Sequence, residues 1–397
     1  MSPWAGSGAL GTRWLWTVVL CKVRGCLWGG GVRCTNPVAV FMAGVLLALS
    51  APSASARPFV FGYAAWWVPQ ALTVQALAHV DRIKFVELRL DPEGRLAERH
   101  GWPQQWQALR QAALAQGVPI DLALTQFEPA DFNALFGSPP RIARLTQEVM
   151  RLAADAAVSG IHLDVEMVGT VHDQATLNYR AFVLDLSRRL RAMEPRRLLS
   201  VFLTYAKDRH VYDVATLAVV DHVVVQGYDA HWLNSEVAGP VAPLHGPDVV
   251  TWESMLRLAR SLGVPPQRLL MGFPTFGYEW KVRPCDPRGP RLAPGETTVF
   301  GRVHLPMAPQ LRNSVVGRVL AHGLRYDAAT GSAYYRVEAQ DGSCVVGWFE
   351  DWWTLQRKLD WIGREQLAGI AFFPLGYDDT DLVALTARRF RGLPAPP

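Results

Sequence analysis

The sequence predicts an α/β fold, a (β/α)8 TIM barrel with a small inserted α+β subdomain between the seventh strand and its helix. Short apolar runs rich in β-branched residues recur eight times, and stretches with helical spacing separate several of them. This alternation indicates parallel βαβ units. Eight strands over about 320 residues fit a barrel of about 250 residues with an insertion. Half of the 397 residues are apolar, which is enough for one large core.

The predicted strands and helices follow one another in a regular order. The turn Asp91-Pro92-Glu93-Gly94 ends the second strand. Helical spacing is clearest at residues 104–116, 142–157, 177–193 and 353–362. The strands are predicted at residues 59–63, 83–90, 120–124, 159–166, 199–203, 221–228, 269–276 and 369–375.

Residues 281–345 interrupt the alternation between the seventh strand and its helix. They are rich in proline and glycine and contain short β-prone runs, such as residues 332–337. We therefore expect a small inserted β-rich subdomain there. Cys285 and Cys344 lie near its two ends, so a bond between them would tie the entry of the insertion to its exit.

Residues 1–56 have the features of a leader with a secretory signal peptide. Arg33 precedes an apolar run at residues 38–49, and the small residues 54–56 follow it. A signal peptide has this order, with an apolar core of about 7–15 residues. The run is shorter than the roughly 20 residues of a membrane span. We expect cleavage after about Ala56, a secreted or periplasmic protein, no stable membrane span in the mature chain, and a catalytic barrel at residues 57–397.

Removal of the leader changes the charge and the cysteine content. Four of the 40 basic residues and none of the 35 acidic residues lie in it, which leaves 36 basic against 35 acidic residues. This balance gives no support for nucleic-acid binding. Three of the five cysteines also lie there, so Cys285 and Cys344 remain. Two cysteines in an exported chain favour a disulfide over a metal site.

The fourth predicted strand carries polar residues at every second position. In a strand, His162, Asp164 and Glu166 point to one face, while Ile161, Leu163 and Val165 point to the other. Turning an imidazole and two carboxylates inward is costly unless they take part in chemistry. The alternative interpretation is a solvated edge strand.

Polar and aromatic residues are concentrated where the predicted strands end. Chemistry in a barrel gathers at the carboxyl ends of its strands. Aromatic side chains around paired carboxylates suggest stacked sugar rings, although core packing and loop anchoring also explain single aromatic residues. The predicted substrate-binding residues are Trp66, Trp67, Gln126, His162, Tyr205, Asp229, Trp232, Tyr278 and Phe373.

Four sequence blocks resemble glycoside hydrolase family 18. Residues 159–166 match the fourth-strand signature Asp-Gly-x-Asp-x-Asp-x-Glu at Gly160, Asp164 and Glu166. Residues 226–232 are similar to the Met-x-Tyr-Asp motif of the sixth strand, and residues 270–280 and 369–379 to the seventh- and eighth-strand blocks. The residues of the last two blocks most resemble those of the bacterial cell-wall and spore-cortex glucosaminidase branch of the family.

The resemblance implies a retaining, substrate-assisted glycosidase, an exception to the usual pair of carboxylates. Glu166 is then the general acid, and Asp164 orients the 2-acetamido group that acts as nucleophile. Tyr228 donates a hydrogen bond to the acetamido oxygen, and Asp229 supports the polar edge of the sugar. The scheme requires no metal and no cofactor. The implied partner is a polysaccharide that contains β-linked N-acetylglucosamine, either peptidoglycan or a related cell-wall glycan, or chitin.

The sequence departs from the family pattern at several positions. Ser159 and His162 replace the first two aspartates of the signature, and Phe373 stands where a tryptophan is common. A neutral His162 can hydrogen-bond to Asp164 and a charged one lowers its pKa, so we expect an altered, more acidic pH optimum that His162→Asn abolishes. Two alternatives are a catalytically silent, lectin-like sugar-binding protein and a structural role in the cell envelope or spore.

Overall fold

The computed structural model describes residues 57–205, 211–301, 314–379 and 381–394. The predicted leader, residues 1–56, lies outside the described residues. Within the described ranges, every helix is too short or too polar to cross a membrane.

Eight parallel strands close into a barrel, as the sequence predicts. The first strand, β1, pairs with both the second and the last strand of the barrel, which closes the ring. A ninth strand, β3, pairs antiparallel with β2 after the turn at residues 91–94. The strands of this sheet are β1 (Phe59–Ala65), β2 (Arg82–Leu90), β3 (Leu96–Glu98), β4 (Ile120–Gln126), β5 (Gly160–Val165), β6 (Leu198–Leu203), β7 (His222–Val225), β8 (Leu269–Pro274) and β14 (Gly369–Phe373).

The α-helices that follow the barrel strands bury one apolar face against them. Leu145, Val149 and Ala153 lie four residues apart along one buried helix face. Several helices begin with a capping box, such as the one in which Asp351 and Thr354 exchange hydrogen bonds. The α-helices are α1 (Gln70–Ala76), α2 (Gln107–Gln116), α3 (Pro129–Phe136), α4 (Pro139–Ala153), α5 (Asp173–Arg191), α6 (Val214–Val219), α7 (Trp252–Ser261), α8 (Val315–His322), α9 (Trp352–Glu365) and α10 (Asp381–Phe390).

The insertion between β8 and α9 forms a five-stranded antiparallel sheet together with helix α8. The strand order is β10-β9-β13-β12-β11. The sheet begins and ends outside the predicted range 281–345, because the chain passes from the barrel into the new sheet within a single apolar run. The strands are β9 (Phe276–Val282), β10 (Glu296–Val299), β11 (Arg325–Asp327), β12 (Ser332–Glu338) and β13 (Cys344–Phe349).

A disulfide joins Cys285 to Cys344, with their Cα atoms 5.1 Å apart. Cys344 is the first residue of β13 and pairs in register with Val282, the last residue of β9. The bond therefore lies at the end of this strand pair that is remote, along the chain, from the connections to the barrel.

Candidate active site

A cleft of about 220 Å³ opens at the carboxyl ends of the barrel strands. It holds four acidic side chains and six aromatic rings, and three of these rings belong to residues predicted from the sequence, Trp67, Tyr228 and Phe373. In the following, "the cleft" means the space lined by Tyr63, Trp67, Val86, Glu87, Phe127, Asp164, Glu166, Phe202, Gln226, Tyr228, Asp229 and Phe373.

Strand β5 carries the two carboxylates of the signature to the cleft. It pairs with β4 on one side and with β6 on the other, so the interpretation as a solvated edge strand is wrong. Ile161, Leu163 and Val165 belong to the large apolar cluster that the helices also join. The opposite face therefore points into the barrel. At the carboxyl end of the strand, Asp164 and Glu166 lie in the cleft.

Asp164 and Glu166 are electrostatically coupled. Burial raises the pKa of Asp164 well above its usual value, and the negative charges of Glu166 and Glu87 add to this effect. Burial also raises the pKa of Glu166, against the hydrogen bonds from Thr204 and Asp164 that lower it. Because two close carboxylates cannot both ionise cheaply, the pair retains a proton that an acid catalyst can use.

Tyr228 and Asp229 follow strand β7 on the opposite wall of the cleft. The ring of Tyr228 stacks on Phe373 with 5.7 Å between centroids and 9° between planes. Burial raises the pKa of Tyr228 well above its usual value, so its hydroxyl stays a hydrogen-bond donor. Burial also raises the pKa of Asp229 to about 7, although the Tyr278 hydroxyl donates to its Oδ1 at 2.9 Å.

The other predicted aromatic residues differ in how close they lie to the cleft. Trp67 lines the cleft and donates from Nε1 to the hydroxyl of Tyr377 at 3.1 Å. Tyr278 contacts Asp229 rather than the cleft itself. The remaining three, which lie outside the cleft lining with about two-fifths to one-half of each side chain exposed, are Trp66, Tyr205 and Trp232.

Two predicted substrate-binding residues are buried below the cleft. The amide of Gln126 is used by the backbone, since Nε2 donates to the Leu90 carbonyl and Oε1 accepts from the Glu128 amide. His162 is fully buried and contacts Tyr63 at 3.0 Å and the Ser200 hydroxyl at 2.9 Å. Both side chains therefore lie outside the lining of the cleft, and substrate binding by them stays a prediction.

His162 also differs from the prediction in its electrostatics. Its two ring nitrogens contact Tyr63 and Ser200 rather than Asp164. Burial and the nearby Lys84 ammonium lower its pKa well below the usual value, so the imidazole is neutral. A neutral His162 does not lower the pKa of Asp164 in the way that the sequence analysis expected of a charged one.

Sequence reasoning missed a third carboxylate beside Asp164 and Glu166. Glu87, near the end of β2, lines the cleft and accepts a hydrogen bond from the Thr125 hydroxyl at 2.6 Å. Its other oxygen accepts from Arg89 at 3.0 Å. The sequence signal that could have identified Glu87 is its position, as an acidic residue, close to the end of the second predicted strand.

The described part of the chain offers no cluster of three or more histidine, cysteine, aspartate or glutamate side chains that could hold a metal ion. The carboxylates of the cleft are instead hydrogen-bonded to neighbouring side chains, as Glu87 and Asp229 are.

Comparison with known proteins identifies the family. The model of the glycosyl hydrolases family 18 matches residues 125–378. The chain belongs to this family. The predicted resemblance is thereby confirmed, and so is the prediction of a glycosidase at the level of the family.

The chain is similar to curated proteins from Medicago truncatula and Bacillus anthracis. Nod factor hydrolase protein 1 of Medicago truncatula is 25% identical over 65% of this chain and 68% of its own length. A cortical fragment-lytic enzyme of Bacillus anthracis is 22% identical over 65% of this chain and 57% of its own length. The chain thus spans about two-thirds of the length of the first relative and little more than half of the length of the second.

A solved structure of a family 18 chitinase from Cycas revoluta, in complex with (GlcNAc)3, has the same fold as this chain. Its TM-score is 0.69 at 17% identity, and the match covers 84% of this chain and 100% of the chitinase. The likeness confirms the (β/α)8 barrel.

Proposed function

We propose that the chain is an exported, retaining glycosidase that cleaves β-linked glycans containing N-acetylglucosamine by a substrate-assisted mechanism. The observation that carries the proposal is the coupled pair of Asp164 and Glu166 at the base of a cleft, with the Tyr228 hydroxyl on the facing wall.

Each of the three side chains has a distinct task in this mechanism. Glu166 gives its proton to the leaving oxygen and then, as a carboxylate, activates a water molecule. The 2-acetamido oxygen of the sugar attacks the anomeric carbon in place of an enzyme carboxylate. Asp164 orients the acetamido group and stabilises the positive charge that develops on it, while Tyr228 donates to the acetamido oxygen.

The proposed substrate is peptidoglycan or a related cell-wall glycan, ahead of chitin. The relative from Bacillus anthracis is a cortical fragment-lytic enzyme, which supports a cell-wall glycan. Phe373 stacks on Tyr228 in the floor of the cleft and offers a sugar a smaller face than a tryptophan would. The chitinase bound to (GlcNAc)3 supports a sugar polymer as the binding partner.

Export is proposed from the leader and from the disulfide. The bond between Cys285 and Cys344 suits an oxidising compartment. N-terminal sequencing of the protein recovered outside the cytoplasm should begin near Arg57. A mature chain that retains residues 1–56 would contradict the proposal.

The activity is tested by incubating residues 57–397 with purified peptidoglycan and with chitin oligomers. We expect turnover that falls by about 10²–10⁴-fold in Glu166→Gln, because general acid catalysis contributes about that much. Glu148→Gln is the matched control, since Glu148 lies on the outer helix α4 and pairs with Arg99 and Arg151.

The outcomes separate the competing functions. Turnover that is equal in Glu166→Gln and the parent would remove Glu166 from the mechanism. Saturable binding of the same glycans, with no turnover in the parent, would favour the lectin-like alternative instead.

A further inference from the structure

A row of aromatic rings leads from the floor of the cleft to its rim. The Phe373 ring, which stacks on Tyr228, lies 6.1 Å from the Trp67 ring with 70° between the planes. The Trp67 ring in turn lies 5.6 Å from the Trp66 ring, at 89°. Trp67 lines the cleft, whereas Trp66 lies outside this lining and is 38% exposed. The row therefore extends the aromatic wall of the cleft by one further ring.

The ring of Trp66 lies flat on the imidazole of His100. The two ring centroids are 4.1 Å apart, and the planes differ by only 3°. Because His100 covers one face of the indole, the exposed area of Trp66 belongs to the opposite face and the outer edge. An aromatic face that is backed on one side and open on the other can stack on the apolar face of a sugar ring. A ring already fixed in place also loses little side-chain freedom when a ligand binds.

The backbone around His100 fixes the position of its ring. The φ of 45° lies in the left-handed region, which histidine tolerates better than most residues. The Trp102 amide donates to the Arg99 carbonyl at 2.8 Å and closes a turn around His100. The His100 carbonyl accepts from Nε1 of the buried Trp106 at 2.9 Å, and its Nε2 lies 3.2 Å from the Glu98 carboxylate. The imidazole is therefore held as a firm support for the indole.

A carboxylate of the cleft lies beside this pair of rings. Ala65 pairs in register with Val86, and the Trp66 amide donates to the Val86 carbonyl at 2.8 Å, so Trp66 and Glu87 leave neighbouring strands side by side. Oε1 of Glu87 lies 3.6 Å from Nε2 of His100. Within the described part of the chain, one side chain donates to each carboxylate oxygen. Each oxygen can accept more than one hydrogen bond, so Glu87 can still accept from the hydroxyl groups of a sugar.

We propose that Trp66 is the platform of an outer sugar subsite at the rim of the cleft, and that His100 is the positioning residue that holds the indole flat. The occupant is a further pyranose ring of the glycan that fills the cleft. Its apolar face stacks on Trp66, and its hydroxyl groups donate to Glu87. The subsite rests on the proposed function in one respect, since the same glycan must occupy the cleft. Affinity should therefore increase with the length of the glycan.

Binding to a variant that does not turn over the glycan tests the subsite. Isothermal titration of Glu166→Gln compares the dimer with the pentamer of N-acetylglucosamine, and a disaccharide with a tetrasaccharide from digested peptidoglycan. Adding Trp66→Ala should weaken binding of the longer sugar by about tenfold, because one stacked ring is lost, and should leave the shorter sugar unchanged. Trp353→Ala is the matched control, since Trp353 is also 38% exposed and packs on Tyr326, outside the cleft lining.

The positioning role of His100 is tested in the same background. Asparagine tolerates a left-handed φ but has no aromatic ring, so His100→Asn removes the support with little strain on the backbone. We expect it to weaken the longer sugar by about three- to tenfold and to spare the shorter one. A general loss of structure would weaken both sugars alike, and that result would contradict the proposal.

The remaining outcomes separate the subsite from the proposed function. A longer sugar that binds as tightly after Trp66→Ala as before would overturn the platform, and the same result for His100→Asn would overturn its positioning role. Length-dependent binding that Trp66→Ala abolishes, in a parent that cleaves no glycan, would support the subsite and count against hydrolysis alone. A protein that binds none of the four sugars would contradict both.

Discussion

Asp229 combines a buried carboxyl group with an unusual backbone conformation. Its pKa of about 7 results from burial first, and the hydrogen bond from Tyr278 acts in the opposite direction. Its φ of 60° lies in the left-handed region, which aspartate and asparagine tolerate better than most residues. The site therefore holds a carboxyl group that ionises near neutral pH beside Tyr228.

The raised pKa of Asp229 predicts a cost to stability as the pH rises. Between pH 3.8, the ordinary pKa of an aspartate, and about pH 7, the native state binds more protons at this position than the unfolded state. The free energy of unfolding therefore falls with rising pH, by up to ~1.4 kcal/mol per pH unit from this group. Asp229→Asn cannot titrate, so its stability relative to the parent should rise across this window.

Urea unfolding of Asp229→Asn and the parent, at several pH values across that window, measures the difference. Tyr278→Phe removes the hydrogen bond that lowers the pKa, and should extend the window to higher pH. A difference between Asp229→Asn and the parent that does not change with pH would contradict the assigned pKa.

The sequence predicted Asp164, Glu166, Tyr228 and Asp229 in the cleft because each stands at the end of a strand. The same pattern could not distinguish His162 from them. Alternation in a strand shows which side chains point inward, but not the layer of the barrel that each of them occupies. Glu87 was missed because its place beside Asp164 depends on pairing between distant strands.

At the scale of elements, a buried ion pair connects the insertion to the barrel. Glu350 directly follows β13, and Lys358 of α9 donates to it at 2.5 Å. Both side chains are fully buried. The ammonium of Lys358 also lies 5.6 Å from the Trp252 ring and 6.0 Å from the Phe273 ring. The ion pair thus links the C-terminal end of the insertion to α9, the helix with which the chain returns to the barrel.

Removal of one partner of this pair should be costly. Lys358→Met leaves the Glu350 carboxylate buried without its counter-ion, and we expect the free energy of unfolding to fall by about 3–5 kcal/mol. The double variant Lys358→Met with Glu350→Gln should recover much of this loss, since the charge is gone and the rings accept an apolar side chain.

Chemical denaturation of the single and the double variant gives both values. Arg260→Met is the matched control, because Arg260 pairs with Glu365 at the surface with 44% and 30% of the two side chains exposed. Its effect should stay below about 1 kcal/mol. A Lys358→Met variant as stable as this control would show that Glu350 is protonated without Lys358.

Element boundaries show where the sequence pattern stops being informative. The eight barrel strands were predicted because apolar runs persist where both faces of a parallel sheet are buried. The seventh run continued through Phe276, yet β8 ends at Pro274 and β9 begins at Phe276. Short helices such as α6 are too brief for a helical period, since Val214–Val219 is less than two turns.

At the scale of the whole molecule, the insertion contributes to the site as well as to stability. Strand β9 runs from the barrel past Tyr278, which holds Asp229, to Val282 beside Cys344. The pairing of β9 with β13 is therefore anchored by the barrel at one end and by the disulfide at the other.

Loss of the disulfide should destabilise the chain without loss of the fold. Cys285 and Cys344 are 59 positions apart, and closing a loop of this length restricts the unfolded chain by about 4 kcal/mol in the chain-entropy model. We expect Cys285→Ala with Cys344→Ala to lower the free energy of unfolding by up to that amount, as measured in urea. Reductant should destabilise the parent to a similar extent and leave the double variant unchanged.

Because the barrel strands do not depend on the bond, amide exchange should accelerate near Val282 and Cys344 more than in β5. Equal acceleration in β5 would mean that the insertion and the barrel unfold as one unit.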